Sequence, residues 1–495
     1  MTGAGRTARL GTVGGRWIVG GMVLGSAATF VNTTVVNVAL PAIGEDLDAG
    51  LVGLQWVTNA YLLTLASLLL AAGSAGDIYG RRRVYLVGCA LFGAGLLVSA
   101  AAPSLPVLIA GRLLLGVGGA AMTPISLAIV DGSFAEEERS AAIGAWASGS
   151  ALASAAGPFI GGVLVDRAGW RWVFLISLPL LAGSMWATWR HVPGDDGTGP
   201  GPGGDRSRRL DIVGAVAACL AVVGSVYALT QSRQDGWLSP AVMSALAVGA
   251  GAAVAFVINE RRHDDPMVPF RLFGERQFSG TNAMTLLLYF SLGGAFFFTA
   301  VAFQTVVGYS AAAAGAALLP ANVVMIVGSP QVGKLSARYG PRWLVTGGSA
   351  LAAVGFALLA RVDESASYAT DILPAALVLG AGLALFVPPL TSAVLASVGD
   401  ADVGIGSAVN NAVARTGGLL ATATLPALVG AAEATGGPAF AAGYQRALAS
   451  CAALCLAAAV VGATTVGRRV TTHTDQAPSM VAGCSQRSLP ASPHR

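Results

Sequence analysis

The chain has 495 residues, 54% of them hydrophobic and only 11% charged, with a formal net charge of +4. Such a composition is too apolar for a soluble multidomain protein. The small net charge, on basic residues that fall mainly in short loops, excludes nucleic-acid binding as their explanation. An all-α, polytopic membrane protein is expected. Cys89, Cys219, Cys451, Cys455 and Cys484 lie mostly in apolar runs without ligand spacing. They read as small buried residues, with no disulfide framework and no metal site.

In chain order, Arg6, Arg9 and Arg16 precede a first apolar run that continues through Pro41 without a cleavage site, so this span is expected to stay. Apolar runs of about 18 to 25 residues then recur along the chain, each long enough to cross a bilayer. Fourteen are expected, beginning near Trp17, Val52, Val84, Val107, Ala141 and Trp172, then Ile212 and Ala241, then Thr281, Ala311, Trp343, Ile372, Gly404 and Tyr444. The resulting organisation is a six-helix bundle over 1–191, a Gly/Pro-rich linker over 192–209 and two extra transmembrane helices over 210–260. A polar, arginine-bearing loop over 261–277, a second six-helix bundle over 278–469 and a disordered tail over 470–495 complete it.

Between the second and third spans lies Gly73-Ser-Ala-Gly-Asp77-Ile-Tyr-Gly80-Arg81-Arg82-Arg83, a short cationic hairpin loop. Gly80 supplies the reversal without a Cβ penalty, and the arginines assign this face to the cytoplasm by the positive-inside rule. Both termini are then cytoplasmic. The stretch is repeated in the second group of six as Gly333-Lys-Leu-Ser-Ala-Arg338-Tyr339-Gly340-Pro341-Arg342. Six-helix repeats with a site between them at mid-membrane depth are a transporter architecture.

These residues resemble the major facilitator superfamily and, within it, the fourteen-span drug:proton antiporter family of multidrug efflux pumps. Gly73, Asp77, Gly80, Arg81 and Arg82 match its signature loop, and Leu108-Ile-Ala-Gly-Arg112 matches its fourth span. Gly157-Pro158-Phe159-Ile160-Gly161-Gly162 is similar to the helix signature shared by its antiporters. Asn37-Val-Ala-Leu-Pro41, Trp170-Arg171-Trp172, Leu210-Asp211 and Gly406-Ser-Ala-Val-Asn410-Asn411 are the subfamily markers. The resemblance implies a gating loop whose Asp77 bonds the adjoining half in one state and releases it in another; a solvated loop charge is the alternative. It further implies a close-packed, bendable fifth helix and export of drug- or antibiotic-like molecules from the plasma membrane. Uptake or facilitative carriage within the same superfamily is the other reading.

Arg112 is expensive inside a span unless it faces water or a partner; it is expected to face the cavity, with snorkelling as the alternative. Asn32 stands where the family usually has an aspartate, and asparagine takes up no proton near neutral pH. Arg112, Asp77 and Asp131 are therefore candidates for indirect proton coupling. Asn32, Gln55, Asn59, Tyr61, Tyr289, Phe296, Gln304, Asn410 and Asn411 are candidate cavity residues, polar or aromatic groups within or beside spans. No catalytic group is expected, because His191, His263, His473 and His494 all lie in loops or the tail. Gly328 to Leu335 is a near miss to a phosphate loop, lacking the hydroxyl residue after Lys334. The expected partners are a small-molecule substrate and membrane lipid, with no nucleic acid, no nucleotide, no cofactor beyond a proton gradient, and a monomeric chain.

Overall fold

Residues 8–194, 211–262, 268–399, 402–428, 430 and 437–467 are described by the computed structural model. Most of the expected linker and all of the tail fall outside them. In hydrocarbon a backbone must satisfy its own polar groups, so an apolar run of spanning length folds as a helix. The helices are α1 (Val13–Asp46), α2 (Leu51–Tyr79), α3 (Arg81–Ala100), α4 (Leu105–Ser133), α5 (Glu136–Ala168) and α6 (Trp172–His191). Next come α7 (Ile212–Asp235) and α8 (Pro240–Arg262). The last group is α9 (Arg276–Thr305), α10 (Ala311–Tyr339), α11 (Pro341–Leu359), α12 (Tyr368–Leu395), α13 (Val403–Leu428) and α14 (Gly437–Thr465). Every expected span has a helix in its place, and 13 helices are long and apolar enough to cross a membrane. The remaining one, α13, is 26 residues long and carries Asn410, Asn411 and Arg415. Its polar residues lower its hydropathy, and its packing against α2, α7, α9 and α12 gives them an interior to face.

The stretch expected as a hairpin loop is mostly helix. Residues 73–79 are the last turns of α2, and the chain reverses at Gly80 alone, with φ 97°. Gly340 repeats the device at φ 83° between α10 and α11. These two turns mark one end of the molecule, called here the arginine face. The near miss to a phosphate loop lies within α10, whose helical backbone offers no phosphate cradle.

One continuous apolar core runs through both groups of six, from Ile18 to Val192 in the first and from Met284 to Val466 in the second. α7 lies against both α2 and α13, where Leu63, Val226, Leu419 and Ala423 form a separate apolar cluster. Asp211 fixes α7 to α8: one carboxylate oxygen accepts from Gly214 N at 2.7 Å, and the other accepts from Asn259 Nδ2 at 2.6 Å. Cys89, Cys219, Cys451 and Cys455 are all free thiols.

Candidate functional site

The two groups of six meet far from the arginine face. Gln55 of α2 donates from Nε2 to the carbonyl of Thr422 in α13 at 2.5 Å, and the Thr422 hydroxyl donates to Asn59 Oδ1. Gln304 of α9 donates to the Val38 carbonyl of α1 at 3.0 Å. Asp166, at the end of α5, accepts from the backbone amides of Ala311 and Ala312 at the start of α10, at 3.0 and 2.9 Å. These hydrogen bonds between the two groups share one end of the molecule, the closed end.

Small residues permit the approach. A Cβ on Gly162 would run into the Ala311 carbonyl, and one on Gly315 into the Pro158 carbonyl. Gly157 and Gly161 face the other way, against Thr34 and Val35 of α1. The expected close-packed fifth helix is therefore two-sided, with positions 157 and 161 holding it to its own bundle and positions 158 and 162 touching the opposite one.

Toward the arginine face the arrangement opens. A cavity of about 140 Å³ is lined there by Tyr289 of α9, Thr391, Val394 and Leu395 of α12, and Ser407, Asn410, Asn411 and Ala414 of α13. Asn410 donates to Asn282 Oδ1 at 3.2 Å and to Thr285 Oγ1 at 2.7 Å, so its amide is held in place at the cavity wall. Asn411 is exposed and bonds only the Ser407 carbonyl of its own helix, at 3.2 Å. Tyr289, Asn410 and Asn411 thus come together as expected.

The other candidates do not line this cavity. Gln55, Asn59 and Gln304 belong to the closed end. Asn32 is 0% and Arg112 1% exposed, and they bond each other inside the first bundle, with Arg112 Nη1 2.5 Å from Asn32 Oδ1. Arg112 Nε also donates to the Val57 carbonyl at 2.8 Å, and its guanidinium lies 4.7 Å from the Tyr61 ring centroid. The arginine expected to face a cavity, or to snorkel, instead crosslinks α1, α2 and α4 through a carbonyl, an amide oxygen and a π-face. Its Nε and Nη1 are met by neighbours and its charge by the ring face, without an anionic partner among them. Phe296 is 38% exposed on α9 and takes no part in the cavity lining.

At the arginine face Asp77 pairs with Arg81 of the same turn at 3.0 Å, with 59% of its side chain exposed. Arg81 reaches the Ala128 carbonyl of α4 at 2.9 Å, and Arg82 the Trp189 carbonyl of α6 at 2.6 Å. Asp131 pairs with Arg139 at 3.6 Å. The arginines thus clamp the turn onto its own bundle. Asp131 lies about 28 Å from Arg112 along α4 at 1.5 Å per residue, too far for a direct proton relay. Outside the spans, Arg271 makes a two-pronged contact with Asp402, both bonds 2.8 Å, and this carboxylate raises the guanidinium pKa above its ordinary value.

Asp166 is not among the candidates drawn from the sequence. The signal was present in the spacing: Pro158, Gly162 and Asp166 recur every four residues, which places them on one stripe of a helix.

With this geometry in view, comparison with known proteins is specific. Residues 22–422 match the Major Facilitator Superfamily. The puromycin resistance protein pur8 of Streptomyces alboniger is 35% identical over 396 residues, covering 79% of this chain and 77% of that protein. The cephamycin export protein CmcT of Amycolatopsis lactamdurans is 33% identical over 458 residues, 89% of this chain and 91% of that one. The fold is similar to a bacterial homolog of the human lysosomal transporter Spinster, solved in an inward-facing, unoccupied conformation. The TM-score is 0.65 at 18% identity, over 91% of this chain and 96% of that one. The amides, hydroxyls and tyrosine that line the cavity all come from the second group of six, and the chain belongs to the Major Facilitator Superfamily, among its drug and antibiotic efflux transporters.

Proposed function

We propose that this protein exports amphipathic, antibiotic-like small molecules by alternating access, in exchange for protons, from a plasma membrane with the arginine face and both termini on the cytoplasmic side. The observation that carries the reading is the pairing of a cavity open toward the arginine face, at Tyr289, Asn410 and Asn411, with a hydrogen-bonded closure at the other end. Cargo would enter from the cytoplasm in this state and leave when the closure parts. The relatives named for puromycin resistance and cephamycin export support the direction and the class of cargo.

Both bundles are supplied by one chain, so a monomer carries a complete pathway. Energy comes from the proton gradient without a cofactor: one charge crossing ~150 mV supplies roughly 3.5 kcal/mol, enough for a concentration ratio of a few hundred. The cavity lining, with Tyr289, Thr391, Ser407, Asn410 and Asn411 as its polar members, carries no carboxylate, and a cation is costly to bury without one. The preferred cargo is therefore neutral or anionic.

Inverted membrane vesicles test this. With the vesicle interior acidified, chloramphenicol, a neutral antibiotic, is expected to accumulate, and ethidium, a permanent cation, much less. A protonophore collapses the accumulation, and Asn410→Ala lowers it several-fold. Accumulation indifferent to the protonophore overturns the coupling, uptake confined to right-side-out vesicles overturns the direction, and equal transport of ethidium overturns the cargo class.

A further inference from the structure

We propose that Asp166 is a positioning residue of the transport cycle, a charged bolt that holds the closed end shut while the cavity is open on the arginine face. The first amides of a helix have no acceptor within it. At the start of α10 they are divided between two sources: Ser310, of the same segment, accepts from Ala313 N at 3.2 Å, whereas Asp166, of the opposite bundle, accepts from Ala311 and Ala312. A carboxylate offers enough lone pairs for both amides at once, and its charge strengthens each bond. Parting of the bundles at this end strips the two amides of that acceptor and leaves the carboxylate to water.

The rest of the closure is made of weaker pieces. Gln55 and Asn59 each keep one amide atom buried without a partner, Oε1 of Gln55 and Nδ2 of Asn59. A buried polar atom left unmade works against the state that buries it. Asp166 is the charged member among the side chains seen bonding across the closed end, and it sits on the stripe whose Pro158 and Gly162 touch α10 directly. Closure at this end therefore depends on Asp166 out of proportion to its place at the rim.

The experiment reads conformation, and so stands apart from which cargo is carried and whether protons drive it. In full-length protein in lipid nanodiscs, with Cys219→Ser and Cys484→Ser, spin labels are placed at Ser104→Cys and Glu364→Cys. These exposed positions lie in the α3–α4 and α11–α12 connections at the closed end, one on each bundle. Pulsed electron resonance then gives the distance distribution across the closure. Asp166→Ala is expected to lower the ratio of short to long distances by about fivefold, the usual effect of removing a side chain that accepts from helix-start amides. Asp166→Asn, which keeps one acceptor and the side-chain volume, shifts it less and carries the test if the alanine variant does not fold. Asp363→Asn is the control, since that carboxylate accepts from Ser365 of its own loop. An unchanged distribution in both Asp166 variants, or an equal shift in the control, overturns the proposal.

Discussion

Arg112 shows what a single residue does when its expected partner is replaced. Its hydrogen bonds go to the Val57 carbonyl and to Asn32 Oδ1, and its charge is met by the Tyr61 ring. None of these is an anion. A buried charge held only by dipoles is less well compensated than one hydrogen-bonded to a carboxylate. Asn32→Asp places a carboxylate where the amide oxygen now sits, 2.5 Å from Arg112 Nη1. It should raise thermal stability in detergent by about 1 to 3 kcal/mol, the range for hydrogen bonds to charged groups, and a fluorescence melting series measures it. A lower melting temperature would mean that the pocket around Asn32 Nδ2, already without a partner, cannot take the charge. The importance of Arg112 was legible in the sequence because charged residues inside spans are rare. Its orientation was not, because the choice between water, lipid headgroup and a neighbouring carbonyl depends on which helices stand beside α4.

At the scale of the helix, turns and stripes were legible where backbone geometry has one solution. Gly80 and Gly340 both take φ near +90°, 97° and 83°, and the sequence repeat pointed to both. Gly80→Ala or Gly340→Ala should each cost roughly 1 to 3 kcal/mol, the strain of holding a Cβ-bearing residue at positive φ with an extended ψ, 129° and 159° here, read as a lower midpoint in chemical unfolding. The length of the loop before Gly80 was misjudged. Asp77, Ile78 and Tyr79 are polar or interfacial by composition, yet an i,i+4 pair between Asp77 and Arg81 spans the glycine and lets α2 run to it. The glycine-rich stretch of α5 was legible as close packing, but not that it faces two partners. Gly315 was not singled out at all, since its role exists only against the Pro158 carbonyl of the other bundle. Gly315→Ala wedges α5 from α10 without removing any hydrogen bond. It should therefore move the distance distribution across the closed end in the same direction as Asp166→Ala while leaving melting of the separate bundles unchanged.

Across the whole molecule, the proposed alternating access requires the same chain to exchange one closure for another. α7 is packed on α2 and α13 at once, and these two helices carry the Gln55, Asn59 and Thr422 bonds of the closed end. α7 thus spans the seam between the bundles, and Leu63, Val226, Leu419 and Ala423 have to slide or separate when the seam parts. Sequence reasoning placed the extra pair between the bundles but could not place it in space, since the long polar connections over 192–209 and 261–277 are compatible with many positions. The alternating cycle makes a definite demand here. A short bifunctional thiol reagent across Asn59→Cys and Thr422→Cys fixes the closed end, because those two side chains touch in this state. Transport should then stop and return when the link is reduced. In the linked protein, a third cysteine at Asn411→Cys should still react from the arginine face with a membrane-impermeant maleimide, since the cavity on that side stays open. Continued transport with the link in place would mean that cargo does not pass between the bundles, and loss of labelling would mean that the two ends close together instead of in turn.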